Sequence, residues 1–204
     1  MVTPKYPTGG RIKGAPFRAL LEYCAEARSL AEVRAAIATL TPAEERATCP
    51  RPDDPGFGLL ASGWYSSVGA GKLVGALWDN IPAHERDDFT DEVAKAVMSR
   101  TLHTVHKAVF RVVGSPALMK RYPMVFWGRQ YDTGDVHIDD VDDRAQRHTY
   151  KNWAGHHPVI CSLTFRCVPV MFEAMGLTGT RITIERCAGD GVSRDCSAVV
   201  RWDG

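Results

Sequence analysis

The segment that decides the fold is ITIERCAGDGVSRDCSAVVRW, residues 182–202. Ile182 and Ile184 alternate with polar residues, a turn rich in Gly, Asp and Ser follows, and a β-branched run completes the segment. This pattern predicts a β-hairpin. Cys187 and Cys196 lie on either side of the turn, where antiparallel pairing brings them close together. They are either two ligands of one metal ion or two small buried hydrophobic side chains.

Helical periodicity dominates the chain before this hairpin. Ser29 followed by Glu32, and Thr41-Pro followed by Glu44, are capping-box patterns that begin helices. The segment CPRPDDPGFG, residues 49–58, predicts a loop because its three prolines remove backbone donors. Further helices are predicted for residues 17–24, 68–78 and from 116 onward. Another begins near Thr90 and either continues to 112 or breaks near Thr101. Glycines at 69, 71 and 75 predict close packing of the helix that contains them.

The period changes to that of strands near Asp135. Residues 136–141 and 144–153 alternate and predict a second hairpin with its turn at Asp142-Asp143. A helix is predicted from 159 to 175, with a kink at Pro169 and Gly176 in the C′ position. Helices first and strands mostly last predict an α+β fold, in which N-terminal helices pack on a twisted antiparallel sheet formed mainly by the C-terminal half.

The length of 204 residues suits one domain. We predict a flexible tail over residues 1–10, which contain two prolines and two glycines, and a single α+β ligand-binding-like domain over residues 11–204. Charged residues make up 24% and the formal net charge is +1. This balance gives no electrostatic reason to expect nucleic acid or an anionic membrane surface as a partner.

The lack of a recognisable targeting signal and the small number of cysteines predict a cytoplasmic protein. The N-terminus has no apolar core of signal-peptide length, and no segment is long enough to span a bilayer. The six cysteines are sparse for a chain of this size, unlike those of small secreted domains. We therefore expect reduced thiols or a metal site, and not disulfides.

Three further constellations are candidates for metal sites, and each has a simpler interpretation. His103 and His106 are three residues apart on a predicted helix, where a packed or solvated pair is favoured over a metal site. The acidic run 139–143 lacks the spacing of a calcium loop and is interpreted as a solvated hairpin tip. His156 and His157 are neighbours that point in different directions, and we interpret them as the start of the following helix.

The aromatic segment YPMVFWGRQY, residues 122–131, either builds the core or lines a pocket. If it lines a pocket, ligand-binding residues would come from it and from aromatic residues elsewhere in the chain. These candidates are Trp64, Tyr65, Tyr122, Phe126, Trp127, Tyr131 and Trp153.

Several segments together resemble a paralogous family of myxobacterial proteins. They are residues 12–14, 63–65, 114–118 through 131–134, His157-Pro with Cys161, and the Cys187 to Cys196 hairpin before Trp202. The C-terminal half also resembles the four-vinyl-reductase-type small-molecule-binding domain. That domain shares its fold with subunits of the trafficking protein particle (TRAPP) complex and with haem-NO-binding-like sensors. The resemblance implies a layer of helices against a twisted antiparallel sheet.

The resemblance also implies a zinc site. In phenol-sensing activators with this domain, a helix cysteine, a strand glutamate and two hairpin cysteines hold zinc. The matching positions here are Cys161, Glu185, Cys187 and Cys196. Cys167 is a rival to Cys161, because the two lie on different faces of one helix and only one can bind the same ion.

These observations lead to three functional hypotheses. The first is a non-catalytic sensory or regulatory module that binds a small apolar ligand between helices and sheet, with zinc as a structural ion. The alternative is a protein-interaction scaffold that forms a homodimer and binds no ligand. The third is a haem sensor or an enzyme that uses His103, His106 or His148. The absence of known catalytic motifs favours a protein that is not an enzyme.

Overall fold

The computed structural model describes residues 9–102, 114–187 and 195–203. Its strands are β1 Arg11–Lys13, β2 Trp64–Ser66, β3 Asp135–Asp142, β4 Ala145–Lys151, β5 Thr178–Arg186 and β6 Cys196–Asp203. Its helices are α1 Gly14–Ala27, α2 Leu30–Ile37, α3 Pro42–Thr48, α4 Ser67–Asp79, α5 Arg86–Thr101, α6 Pro116–Arg121, α7 Pro123–Trp127 and α8 Pro158–Ala174. A 3-10 turn spans Pro55–Gly58.

Strands β3 to β6 form one antiparallel sheet in the order β3-β4-β6-β5. Helix α8 packs on this sheet and also contacts α5 and α4. The predicted α+β architecture is therefore confirmed. The two predicted hairpin pairings are also present, β3 with β4 and β5 with β6. The turn of the second hairpin lies outside the described residues.

Local capping signals place the N-terminal helices. Thr41 and Glu44 form the predicted reciprocal capping box at α3. At α2 only half of the box forms: Ser29 Oγ accepts from Glu32 N at 3.1 Å, while the Glu32 carboxylate pairs with Arg28 at 3.2 Å. An ion pair to the preceding turn has replaced the second capping bond.

Three predictions about helix ends have different outcomes. Gly176 takes the C′ position after α8 with φ +94°, as predicted. Helix α5 begins at Arg86 instead of near Thr90, and Asp87 and Asp88 form its acidic first turn. The predicted continuation over residues 103–112 lies outside the described residues.

Gly9 and Gly10 fall in the predicted flexible tail, yet Gly10 is buried. Its carbonyl oxygen accepts from Ser67 N at 2.9 Å. It immediately precedes β1, which pairs with β2 as a second, two-stranded sheet that the sequence pattern did not predict. No helix in the described part of the chain is long and apolar enough to cross a membrane.

Candidate functional site

Three cysteines and one histidine meet where α8 begins beside β5 and β6. They are His156, Cys161, Cys187 and Cys196, and their ligand atoms all lie within 4.8 Å of one another. Cys161 lies in the first turn of α8, where its backbone N–H donates to His157 O at 2.8 Å. Cys187 follows the last residue of β5 and Cys196 begins β6. Antiparallel pairing of these strands brings both hairpin thiols to the N-terminus of α8.

The distances in this thiol-imidazole cluster suit a tetrahedral metal ion. Cys196 Sγ lies 4.0 Å from Cys187 Sγ and 3.3 Å from His156 Nδ1. Two ligands about 2.3 Å from a tetrahedral zinc ion lie about 3.8 Å apart, whereas a disulfide would need about 2.05 Å between sulfurs. Cys161 and Cys196 are buried, and Cys187 and His156 are partly buried. A set of three thiols and one imidazole is a ligand set typical of structural zinc.

Mutual contacts within the cluster favour its protonated forms. Contacts with the Cys187 and Cys196 thiols, together with burial, raise the pKa of Cys161 far above its ordinary value. The same two thiols raise the pKa of His156 to about 9. Crowded thiols resist ionisation because neighbouring thiolates repel one another. A divalent cation reverses this preference, since it is the thiolate that binds metal.

The structure brings together three of the four predicted metal ligands. Cys161, Cys187 and Cys196 come together, while Glu185 does not join them. The Glu185 carboxylate accepts from Arg147 Nε at 2.9 Å and Nη2 at 3.0 Å, and Arg147 holds the pKa of that carboxyl below its ordinary value. Cys167 lies away from the cluster and lines an interior cavity. The rivalry between Cys161 and Cys167 is thus decided by the face of α8 that each occupies.

The interpretation of His156 and His157 as a simple helix start was incomplete. His157 is the N-cap residue of α8, but its neighbour His156 turns toward the thiols. The two adjacent side chains do point in different directions, as predicted. Because of this difference, only His156 reaches the thiols. A histidine five residues before a helix cysteine was the available signal.

A cavity of about 330 Å³ lies between the helical layer and the sheet. Its apolar lining comes mainly from α1, α5, α7, α8, β3 and β4. The walls include Phe17, Leu20, Val97, Met98, Phe126, Trp127, Tyr131, Val136, Ile138, Tyr150, Leu163, Cys167, Val168 and Met171.

The predicted aromatic ligand-binding residues divide into two groups. Phe126, Trp127 and Tyr131 line the cavity. Trp127 is also part of the core, because its Nε1–H donates to Thr133 O at 2.7 Å and its ring contacts Tyr150 at 4.7 Å between centroids. The other four are not among the lining residues. Trp153 contacts the Trp127 ring edge-on, and Tyr122 is exposed. The Trp64 ring contacts the Lys13 ammonium group, and the Tyr65 hydroxyl accepts from Leu60 N.

Two polar atoms that belong to lining residues are fully buried, and they have no hydrogen-bond partner among the described residues. They are His148 Nε2 on β4 and Gln130 Oε1 before β3. His148 is only 2% exposed, and burial lowers its pKa to about 4, so the ring is neutral at pH 7. Nearby, the Tyr131 hydroxyl and Thr164 Oγ1 satisfy each other at 2.9 Å. The sequence pointed to His148 only as a candidate for a haem sensor or an enzyme, and it gave no signal for Gln130.

The remaining constellations from the sequence have separate outcomes. His103 and His106 lie outside the described residues. The acidic run is an exposed hairpin tip, as its simpler interpretation predicted. Asp140 pairs with Lys120 at 2.6 Å, and Asp142 pairs with Arg201 at 2.8 Å.

Comparisons with known proteins identify the fold. No protein-family model matches the chain, and no relative is found among curated proteins. Solved structures, however, match nearly all of it. The fold is that of H-NOX domains. The Fe(II) unliganded H-NOX protein from K. algicida has a TM-score of 0.65 at 14% identity, covering 95% of this chain and 97% of its own.

Two further H-NOX structures show the same agreement. The S. oneidensis protein in the Fe(II)NO ligation state has a TM-score of 0.63 at 10% identity, covering 95% of this chain and 100% of its own. An oxygen-binding H-NOX domain related to soluble guanylate cyclases has a TM-score of 0.60 at 7% identity, covering 95% and 96%. The resemblance to haem-NO-binding-like sensors is therefore confirmed at the level of fold. None of these structures is a four-vinyl-reductase-type domain, and that part of the resemblance stays a prediction.

Proposed function

We propose that this chain is a non-catalytic sensory or regulatory module that binds a small, largely apolar molecule in its interior cavity. One observation carries the proposal: a cavity of about 330 Å³ with mainly apolar walls lies between the helices and the sheet. A volume of 300–1,000 Å³ with few polar groups is typical of small-molecule sites. H-NOX domains with the same fold include one described as oxygen-binding.

The protonation states of the lining support binding without catalysis. His148 is held neutral with a pKa of about 4. Burial raises the pKa of Cys167 to about 12 and that of Tyr131 above its ordinary value. A general acid or base works best with a pKa near the working pH. The pKa values of these groups are far from 7, so the groups are uncharged at pH 7 and form part of the cavity wall.

The proposal is tested with N-phenyl-1-naphthylamine, a neutral fluorescent probe for apolar sites. We expect saturable binding by the purified protein and loss of binding in Val168→Trp, because the larger ring fills the cavity. Val141→Trp is the matched control, since Val141 is 40% exposed on the hairpin tip and does not line the cavity. Circular dichroism verifies that both variants fold. Equal probe binding by both variants would contradict the proposal.

We further propose that His156, Cys161, Cys187 and Cys196 hold a structural zinc ion. The ion would join the start of α8 to β5 and β6. Four protein ligands leave no open coordination position, and such a position is what a catalytic zinc requires. The positive end of the α8 dipole beside Cys161 also favours anionic thiolates.

Elemental analysis of protein purified without added metal tests this zinc site. We expect about one zinc per chain, and its loss in His156→Ala and Cys196→Ser. Glu185→Gln is the matched control, because its carboxylate pairs with Arg147 instead of joining the cluster. Retention of zinc in His156→Ala combined with loss in Glu185→Gln would restore the ligand set implied by the resemblance.

Haem is a second candidate for the cavity, because one of the solved structures with this fold concerns the function of heme distortion in the H-NOX family. A neutral imidazole such as that of His148 is a suitable iron ligand. The volume fits less well. At about 330 Å³ the cavity is near the lower limit for small-molecule sites, so a tetrapyrrole would require its described walls to move apart.

An absorbance spectrum of the purified protein after titration with hemin decides this candidate. A Soret band that disappears in His148→Leu would support haem bound through His148. His103→Ala and His106→Ala test the two other histidines proposed from the sequence. A spectrum without a shifted Soret band would exclude haem and leave the apolar ligand as the occupant.

A further inference from the structure

Arg129 differs from every other residue in the described lining of the cavity. Within the described ranges it is the one lining residue that carries a charge at pH 7, and it is also the one that is exposed. A residue that borders the cavity and also reaches solvent lies where the interior opens to the surface. The cavity therefore combines an apolar interior with a positive charge at its opening.

The guanidinium of Arg129 has no counter-ion among the described residues. Asp132 is the nearest acidic residue in the sequence, and its carboxylate pairs with Arg11 Nε at 2.6 Å. Residues 114–131, which include α6 and α7, contain three basic residues and no acidic one. A guanidinium presents a planar set of N–H donors that matches the two oxygens of a carboxylate. Arg129 is therefore accessible to an anionic group of a ligand.

The interior beyond this opening disfavours charge. Its walls are mainly aliphatic, aromatic and thioether side chains, and no carboxylate or ammonium group is among the described lining residues. A charged group moved into such surroundings would lose its hydration without gaining a counter-ion. The interior thus favours the apolar part of a ligand, and a negative charge is favoured only at the opening, where water and Arg129 both reach it.

We propose that the cavity binds anionic amphiphiles, whose apolar tail fills the interior and whose carboxylate head group pairs with Arg129 at the opening. This inference rests on the proposed ligand-binding function and names the ligand class of the same site. Burial of the tail supplies most of the affinity. The ion pair adds a smaller contribution, because it stays in contact with solvent. Arg129 is in this way a specificity-determining residue for the head group.

The matched probes decanoate and decan-1-ol test this assignment. They have hydrocarbon chains of the same length, but only decanoate carries a negative charge. Each is titrated against bound N-phenyl-1-naphthylamine, and displacement gives its affinity. In Arg129→Gln we expect decanoate to bind about threefold to fivefold more weakly, the ratio given by an exposed ion pair. Decan-1-ol and the neutral naphthylamine should bind this variant as they bind the unaltered protein, which also verifies that the variant folds.

Arg121→Gln is the matched control, because Arg121 is exposed, does not line the cavity and loses the same charge. This control should keep the decanoate affinity of the unaltered protein. Added salt should weaken decanoate binding more in the unaltered protein than in Arg129→Gln, since salt screens an exposed pair.

Three outcomes would overturn the inference while leaving the proposed function intact. They are an unchanged decanoate affinity in Arg129→Gln, an equal loss in Arg121→Gln, and failure of decanoate to displace the bound naphthylamine. Failure of the naphthylamine probe itself to bind would overturn the proposed function as well.

Discussion

His148 shows at the scale of one residue how burial sets a chemical state. Its ring packs against Phe172 at 6.2 Å between centroids, and it faces a cavity with few polar groups. Desolvation disfavours the imidazolium ion, which is why the pKa falls from 6.5 to about 4. The residue therefore supplies hydrogen-bonding capacity without charge at pH 7.

This shift predicts how stability depends on pH. Between pH 6.5 and 4 the unfolded chain binds a proton at His148 that the folded protein does not bind. The folded state therefore loses stability as the pH falls through this range, by about 2–3 kcal/mol between pH 7 and 4.5. Urea unfolding at both pH values should show this extra loss in the unaltered protein relative to His148→Phe.

The comparison with His148→Phe cancels contributions from other titrating groups. His137→Phe is a suitable control, because His137 is an exposed residue of β3. That control should keep the pH dependence of the unaltered protein. Parallel pH profiles for the unaltered protein and His148→Phe would contradict the assignment.

The sequence reveals the cysteines of the thiol-imidazole cluster better than its histidine. Cys187 and Cys196 flank a turn, and hairpin pairing is a local property that alternation predicts. That Glu185 stays out of the cluster depends instead on its ion pair with Arg147 of β4, a strand separated from β5 by β6. Such a contact joins residues distant in sequence and leaves no periodic signal. The environment of His148 is unpredictable for the same reason, since distant elements build the cavity around it.

At the scale of elements, the glycines of α4 show why that helix can approach α8. A Cβ added to Gly75 would lie 2.9 Å from His157 Cε1 and 3.0 Å from Nε2. The predicted close packing is therefore present, and its partner is the N-cap residue of α8. The His157 side chain forms no capping hydrogen bond to the described first turn of α8, so its ring acts as a packing surface at this contact.

A double-mutant cycle tests this packing. Gly75→Ala should destabilise the protein by about 1–2 kcal/mol, because overpacking outweighs the gain in helix propensity. In a His157→Ala background the ring is absent, and the same change should stabilise by up to about 1 kcal/mol. Thermal or urea unfolding of the four proteins gives the coupling energy. Additive effects would mean that the His157 ring moves aside without a cost in the free energy of unfolding.

Elements with local signals were predicted well, and those that depend on distant pairing were not. The capping box of α3, the C′ glycine and both hairpins follow from residues within one turn or one alternating run. Strands β1 and β2 have three residues each and are separated by helices α1 to α3. A run of three residues is too short to show a period of two, so their pairing has no sequence signature.

The whole molecule combines an H-NOX fold with two candidate sites along one helix. Helix α8 contributes Cys161 to the thiol-imidazole cluster and Leu163, Cys167, Val168 and Met171 to the cavity. A ligand and a metal ion would therefore both act on the packing of α8 against the sheet. The cytoplasmic location and the homodimer stay predictions, and light scattering over a range of concentrations tests the second.

Metal removal should loosen one part of the molecule before the rest. The proposed ion connects α8, β5 and β6, and its binding free energy is realised as folding free energy of these elements. Helices α2 and α3 contain none of the cluster residues. After treatment with a strong chelator we expect faster amide hydrogen exchange in β6 and the first turns of α8, with little change in α2.

A cysteine distant from the cluster provides the control for this experiment. Cys49, at the end of α3, is buried like Cys161 but lies in the N-terminal layer. Cys49→Ser should leave the chelator response intact, whereas Cys161→Ser should reproduce the chelated pattern without chelator. If zinc is present and its removal leaves exchange in β6 unchanged, the ion does not stabilise the hairpin. Uniform acceleration across α2 and β6 would instead mean that the two layers unfold as one cooperative unit.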